Sequence, residues 1–240
     1  MTATIAPTRT STVPAAAVVR SVDLAGSAGR LEAVVNEGAD DAPFAALVCH
    51  PHPEGGGNLH NKVVYHAMKA LNDPAWGIAV PVLRFNFRGT GLSEGAHDGC
   101  LESDDVLAAM DWLENEYKRP LVVAGFSFGA AMALKACCVY VPNRPPVRAL
   151  VALGLPTQAE GHHYSYKFLA DCTIPKLFLS GDQDQYAPAA QLAQVAGSAR
   201  PPSELLLIPG GDHFFQSQLE PMQRALSGWL LSSSLKEQWR

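Results

Sequence analysis

Leu121 to Phe126, LVVAGF, is apolar at every position. The run is too short to stand alone as a helix, and it lacks the alternation that would leave one face for water. Such a segment is a strand covered on both sides, as in a parallel sheet sandwiched between helices. Phe44 to Cys49, Val80 to Phe87, Val147 to Leu153, Ile174 to Leu179 and Glu204 to Ile208 are further buried-strand candidates. Helical patterns lie between and after them. Leu101 to Tyr117 carries Val106, Leu107, Met110 and Leu113 at helical spacing. Val63 to Leu71, Ala130 to Val139, Pro188 to Val195 and Phe214 to Leu231 are the other expected helices. Near the start, Val18 to Leu24 and Arg30 to Val35 read as a hairpin around Gly26 and Gly29. Strand and helix in alternation predict an α/β fold, a mostly parallel sheet with helices on both faces.

The chain has 240 residues, 48% hydrophobic and 17% charged, enough to bury a core without cross-links. Its net charge of −5 argues against a nucleic-acid surface, which needs clustered Lys and Arg. No stretch approaches the roughly 20 apolar residues of a membrane span. Pro7, Arg9 and Pro14 interrupt the N-terminus and make it a poor secretory signal. Residues 1–16 are expected to form a loosely ordered tail, and 17–240 a single domain with no internal repeat or linker. Cys49, Cys100, Cys137, Cys138 and Cys172 are odd in number and show no metal-ligand spacing. A reduced, cytoplasmic protein is expected, with Cys137 and Cys138 packed as small hydrophobes in a helix.

The strongest local signal is Gly125-Phe126-Ser127-Phe128-Gly129. An apolar strand leads in and a small-residue helix leads out, the setting of a nucleophile elbow. A serine there must sit on a sharp turn so that its Oγ projects from the sheet edge, and glycines on either side relieve the crowding. Taken alone, the pentapeptide also fits a serine that merely caps a helix. Downstream residues supply the partners that a nucleophile requires, a base and a carboxylate to orient it. Leu177 to Gln185 runs from a strand into a turn with Asp182 and Asp184, and Gly210 to Phe215 carries His213. Each falls just past a strand end, the edge where open α/β sheets bind ligands.

Together these segments resemble the α/β-hydrolase fold serine hydrolases, and most closely the small lidless bacterial group with an HPHP segment after the third strand. The matching stretches are His50-Pro51-His52-Pro53 with Gly55 to Gly57, Asn61 to Val64, FNFRGTGLSEG at 85–95, GFSFGA at 125–130, SGDQDQ at 180–185 and GGDHFF at 210–215. The resemblance implies an α/β-hydrolase fold of about eight strands without a cap domain. It also implies a serine hydrolase acting on short-chain carboxylic esters, with Ser127 as nucleophile and His213 as base. The acid is expected three residues after the strand-ending glycine, at Asp184, leaving Asp182 to tie the turn.

The oxyanion hole implied by the resemblance uses the backbone N–H of Phe128 and one from the loop after the third strand. Proline has no N–H, which leaves His52 for that role. Phe126, His162, His163 and Tyr164 are expected to line the substrate pocket. A metal on the His50/His52 pair is not expected, since no third ligand follows at a helpful spacing. Nor is a bound nucleotide, because Gly89, Gly91 and Gly95 lack the required spacing. No cofactor is expected. The expected partner is a small-molecule ester, with neither nucleic acid nor membrane. Arg88 is expected to pair with Asp104 or Asp105. The interval from Gly154 to Ile174 is too short for a two-helix lid. A thioesterase or small peptidase would use the same residues, and a non-catalytic scaffold would use the same fold.

Overall fold

The structure, a computed structural model, describes residues 18–139, 147–158 and 164–232. The expected tail, and His162 and His163, lie outside these residues. The chain opens with a hairpin of β1 (Val19–Gly26) and β2 (Gly29–Asn36) and continues through β3 (Ala45–Cys49), α1 (Lys62–Asn72) and β4 (Val82–Phe85). Next come α2 (Glu102–Tyr117), β5 (Leu121–Phe126), α3 (Phe128–Val139) and β6 (Val147–Leu153). The remaining elements are β7 (Lys176–Gly181), α4 (Ala189–Ser198), β8 (Ser203–Ile208) and α5 (Leu219–Leu230). The strands form one sheet in the order β1-β2-β4-β3-β5-β6-β7-β8. β2 is antiparallel to both β1 and β4, and the other pairs are parallel.

The all-apolar reading of β5 corresponds to a strand buried at every position. Leu121 and Val123 face a core shared with Val106 and Met110 of α2 and Leu134 of α3. Val122, Ala124 and Phe126 face the opposite core, with Val64 and Met68 of α1 and Met222 and Leu226 of α5. β8 differs from its expectation as a buried strand. It is the sheet edge, alternating in exposure, with Leu206 37% exposed. The strand order reverses around β3: its chain crosses to β4 on one side and returns to β5 on the other. Cys49 at the end of β3 is level with Gly125 of β5, so the loops after these strands emerge side by side. A crevice of this kind is where open α/β sheets hold ligands.

Two further expectations are corrected. The last helix begins at Leu219 rather than Phe214. The Asp212 side chain takes the backbone N–H groups of Phe214 and Gln216, and Phe215 and Ser217 have φ of 51° and 60°, so this stretch is a turn. The five cysteines are not all free thiols. Cys138 on α3 is disulfide-bonded to Cys172 in the loop before β7, with Cα atoms 5.3 Å apart, while Cys49, Cys100 and Cys137 are free. Burial pushes the Cys137 thiol up to about 12, so it packs as a hydrophobe.

Arg88 pairs with Asp105 through Nε and Nη2, at 2.7–3.1 Å, and both side chains are buried. Asp105 also accepts the Arg88 backbone N–H, so one carboxylate fixes the loop after β4 to α2. Between β6 and β7 the described residues contain one short 3-10 turn, Lys167–Ala170, and no cap helix. Nor, among the described residues, is any helix long and apolar enough to cross a membrane.

Candidate active site

Ser127 sits between β5 and α3 with φ of 54°, a left-handed conformation that costs a non-glycine residue about 1–2 kcal/mol. Its carbonyl accepts the N–H groups of Ala130 and Ala131, so it does start the helix. Its side chain is directed elsewhere: Oγ lies 2.9 Å from His213 Nε2. The flanking glycines make the turn possible. A Cβ on Gly125 would strike the Gly129 backbone, and one on Gly129 would strike the His50 carbonyl.

His213 follows β8 in the turn organised by Asp212. Its Nδ1 lies 2.9 Å from Asp184 Oδ2 and 3.0 Å from Oδ1. The imidazole therefore bridges Ser127 and Asp184. The ring is held at centroid distances of 4.7 Å from Tyr186, 5.0 Å from Phe126 and 5.2 Å from Phe214. Gly154 leaves room for it: a Cβ there would lie 3.3 Å from His213 Cε1 and Nδ1, on a backbone with φ of 52°.

Asp184 is buried at the C-terminal end of β7 and is fully hydrogen-bonded. Ser180 Oγ donates to Oδ2, and the backbone N–H groups of Tyr186 and Ala187 donate to Oδ1. Burial pushes its carboxyl up. The hydrogen bonds from His213, Ser180 and Tyr186 outweigh that and hold it below the usual aspartate value. Asp182 instead accepts the Gly210 N–H at 2.8 Å, tying the β7 turn to the β8 turn.

A cleft of about 320 Å³ opens over Ser127. His52 and Phe128 border it, as do Tyr164, Tyr186, His213 and Phe214. Phe214 and Tyr186 are 50% and 39% exposed, so the cleft reaches solvent. Phe126 does not line it. As the last residue of β5 it is fully buried in the core on the α1/α5 side, beneath His213. Tyr186, Phe214 and Pro156 border the cleft without having been expected there. Phe214 directly follows the expected base and Tyr186 lies two residues past the expected acid, which was the available signal.

His50 is a structural residue of the loop. It is fully buried, its Nδ1 lies 2.6 Å from the Pro51 carbonyl, and its Nε2 accepts the Phe87 N–H at 3.0 Å. Burial lowers its pKa to about 4, so the ring is neutral near pH 7.

The model of the alpha/beta hydrolase domain family matches residues 52–227 of this chain. An uncharacterized protein of Rickettsia prowazekii (strain Madrid E) is 35% identical over 215 residues, 86% of this chain and 87% of its own. Among solved structures, an alpha-beta serine hydrolase homologue from Coxiella burnetii is similar at a TM-score of 0.77 and 30% identity, covering 88% of this chain and 97% of that one. A serine hydrolase without lid from Xanthomonas campestris has a TM-score of 0.74 and 30% identity, covering 88% of this chain and 93% of its own.

Proposed function

This chain belongs to the alpha/beta hydrolase domain family, and on that footing we propose that it hydrolyses short-chain carboxylic esters through an acyl-serine intermediate. The observation that carries the reading is the unbroken path from Ser127 Oγ through the His213 ring to Asp184, with 2.9 Å at each link.

His213 Nε2 takes the Ser127 proton as Oγ attacks the ester carbonyl. Asp184 holds Nδ1–H toward itself, which keeps the Nε2 lone pair on the serine and stabilises the imidazolium that forms. The backbone N–H groups of Phe128 and His52 stabilise the tetrahedral oxyanion, often the largest single contribution in acyl transfer. Collapse expels the alcohol, which takes its proton from His213. Water, deprotonated by the same imidazole, then attacks the acyl-enzyme and releases the acid.

The size and lining of the cleft support a short-chain substrate. At about 320 Å³ it is near the small end of ligand sites. A buried methylene contributes about 0.8 kcal/mol, so a chain longer than the cleft gains nothing further. Among the described residues the lining includes Glu54 and neither Lys nor Arg, which favours neutral esters over polyanionic thioesters.

A series of p-nitrophenyl esters from acetyl to palmitoyl, run on wild type and Ser127→Ala, tests the reading. We expect a rate maximum at short chains, no jump above the substrate solubility limit, and a loss of several orders of magnitude in kcat in the variant. Wild-type turnover in Ser127→Ala would overturn the mechanism. A maximum at palmitoyl would overturn the substrate class.

A further inference from the structure

We propose that His52, Glu54 and His97 form a site for a divalent transition-metal ion at the rim of the cleft, separate from Ser127 and His213. One ligand atom from each of the three lies within 4.8 Å of the other two. They come from two loops, His52 and Glu54 from the turn after β3 and His97 from the segment between β4 and α2. Two imidazoles and a carboxylate are a donor set suited to zinc and its neighbours, and poorly suited to magnesium or calcium.

The geometry around His97 supports the assignment independently. Its Nδ1 lies 2.6 Å from Glu102 Oε1, and Glu102 is fully buried. That carboxylate is in turn fixed by the backbone N–H groups of Asp98 and Gly99, at 2.9 and 3.2 Å. The approach of Glu102 to the ring lacks hydrogen-bond geometry, so His97 Nδ1 is buried with no hydrogen-bond partner, and a buried polar atom left unsatisfied is what a bound ion would account for. The His52 and His97 rings lie 4.7 Å apart at an interplanar angle of 77°, and the Phe128 ring packs 4.9 and 5.5 Å from them. The two imidazoles thus meet at a partly apolar wall.

Zinc held at about 2.0–2.1 Å by tetrahedral ligands brings them to about 3.3 Å from one another. Going from within 4.8 Å to that spacing takes side-chain rotation, and Glu54 is exposed on a short 3-10 turn. Three protein ligands leave a coordination position for water, so the ion would be exchangeable. Bound there, it would tie the loop carrying the His52 backbone N–H to the segment before α2. It would steady one wall of the cleft without touching the nucleophile.

The test is equilibrium dialysis and calorimetric titration of EDTA-treated protein with Zn2+, on wild type, Glu54→Gln, His97→Gln and His213→Ala. We expect one zinc per chain in wild type and in His213→Ala, and at least tenfold weaker binding in Glu54→Gln and His97→Gln. Glu54 is exposed, so its variant tests the site without endangering the fold. Zinc should also raise the Tm of wild type more than that of Glu54→Gln. No binding at millimolar zinc would overturn the site. So would binding that survives both ligand substitutions, or binding abolished by His213→Ala.

Discussion

Ser180 Oγ donates a 2.8 Å hydrogen bond to Asp184 Oδ2, from the penultimate residue of β7 to the carboxylate that faces His213. Ser180 is fully buried and serves as a positioning residue for Asp184. A hydrogen bond to a charged group contributes about 1.5–3 kcal/mol, of which the remaining donors recover part. Ser180→Ala should therefore lower kcat by on the order of tenfold with little change in KM. Steady-state kinetics on a short ester measures this, and an unchanged kcat would show that the bond does not matter to the imidazole.

The two aspartates of the β7 turn should separate cleanly. Asp184→Asn replaces the acceptor at His213 Nδ1 with an amide that supports the wrong tautomer, and kcat should fall about 10⁴-fold. Asp182→Asn touches only the Gly210 N–H. It should cost about 1 kcal/mol of stability and leave turnover near wild type. The reverse pattern would move the acid to Asp182.

Gly154→Ala is expected to damage activity although it replaces no catalytic group. The new Cβ would lie 3.1 Å from Phe126 Cε2 and 3.3 Å from the His213 ring, on a backbone that alanine adopts at a cost of about 1–2 kcal/mol. The imidazole should shift away from Ser127. A lowered Tm together with a lowered kcat, measured on the same preparation, is the expected pair. A lowered Tm alone would mean that the ring keeps its place.

Lys176 gives a pH signature. It is buried at the far end of β7, with its ammonium donating to the carbonyls of Cys172 and Arg200 at 2.7 Å. Burial pulls its pKa down from 10.5 to about 8. The unfolded chain therefore binds more protons than the folded one between these values, and stability gained through this group rises with pH across that window. Denaturant unfolding of wild type and Lys176→Met should show the difference moving in favour of wild type from pH 8 to 10.5, by at most on the order of 3 kcal/mol. A constant difference would mean that the ammonium is not penalised by burial.

The parts of this molecule that were legible in the sequence are those governed by local pattern. β5 coincides with its apolar run because both faces must be covered, and α3 with the small residues that let it approach β3 and β5. The turns bearing Ser127, Asp184 and His213 were legible because each follows an apolar strand. What escaped was assembled from segments distant along the chain. His97 meets His52 only because β3 and β4 are neighbours in the sheet, and the Cys138–Cys172 pairing joins residues 34 apart, beyond any local pattern. Residues 214–218 resembled helix by composition, but the Asp212 side chain captures their N–H groups before a helix can start.

Covalent labelling reads directly whether Ser127 is an activated nucleophile. Wild-type protein incubated with a fluorophosphonate probe should gain one adduct per chain, which peptide mass spectrometry should place on Ser127. His213→Ala should label at least a hundredfold more slowly, since without the imidazole the hydroxyl keeps its proton. No adduct on folded wild-type protein, or an adduct on another residue, would show that Ser127 is not the nucleophile.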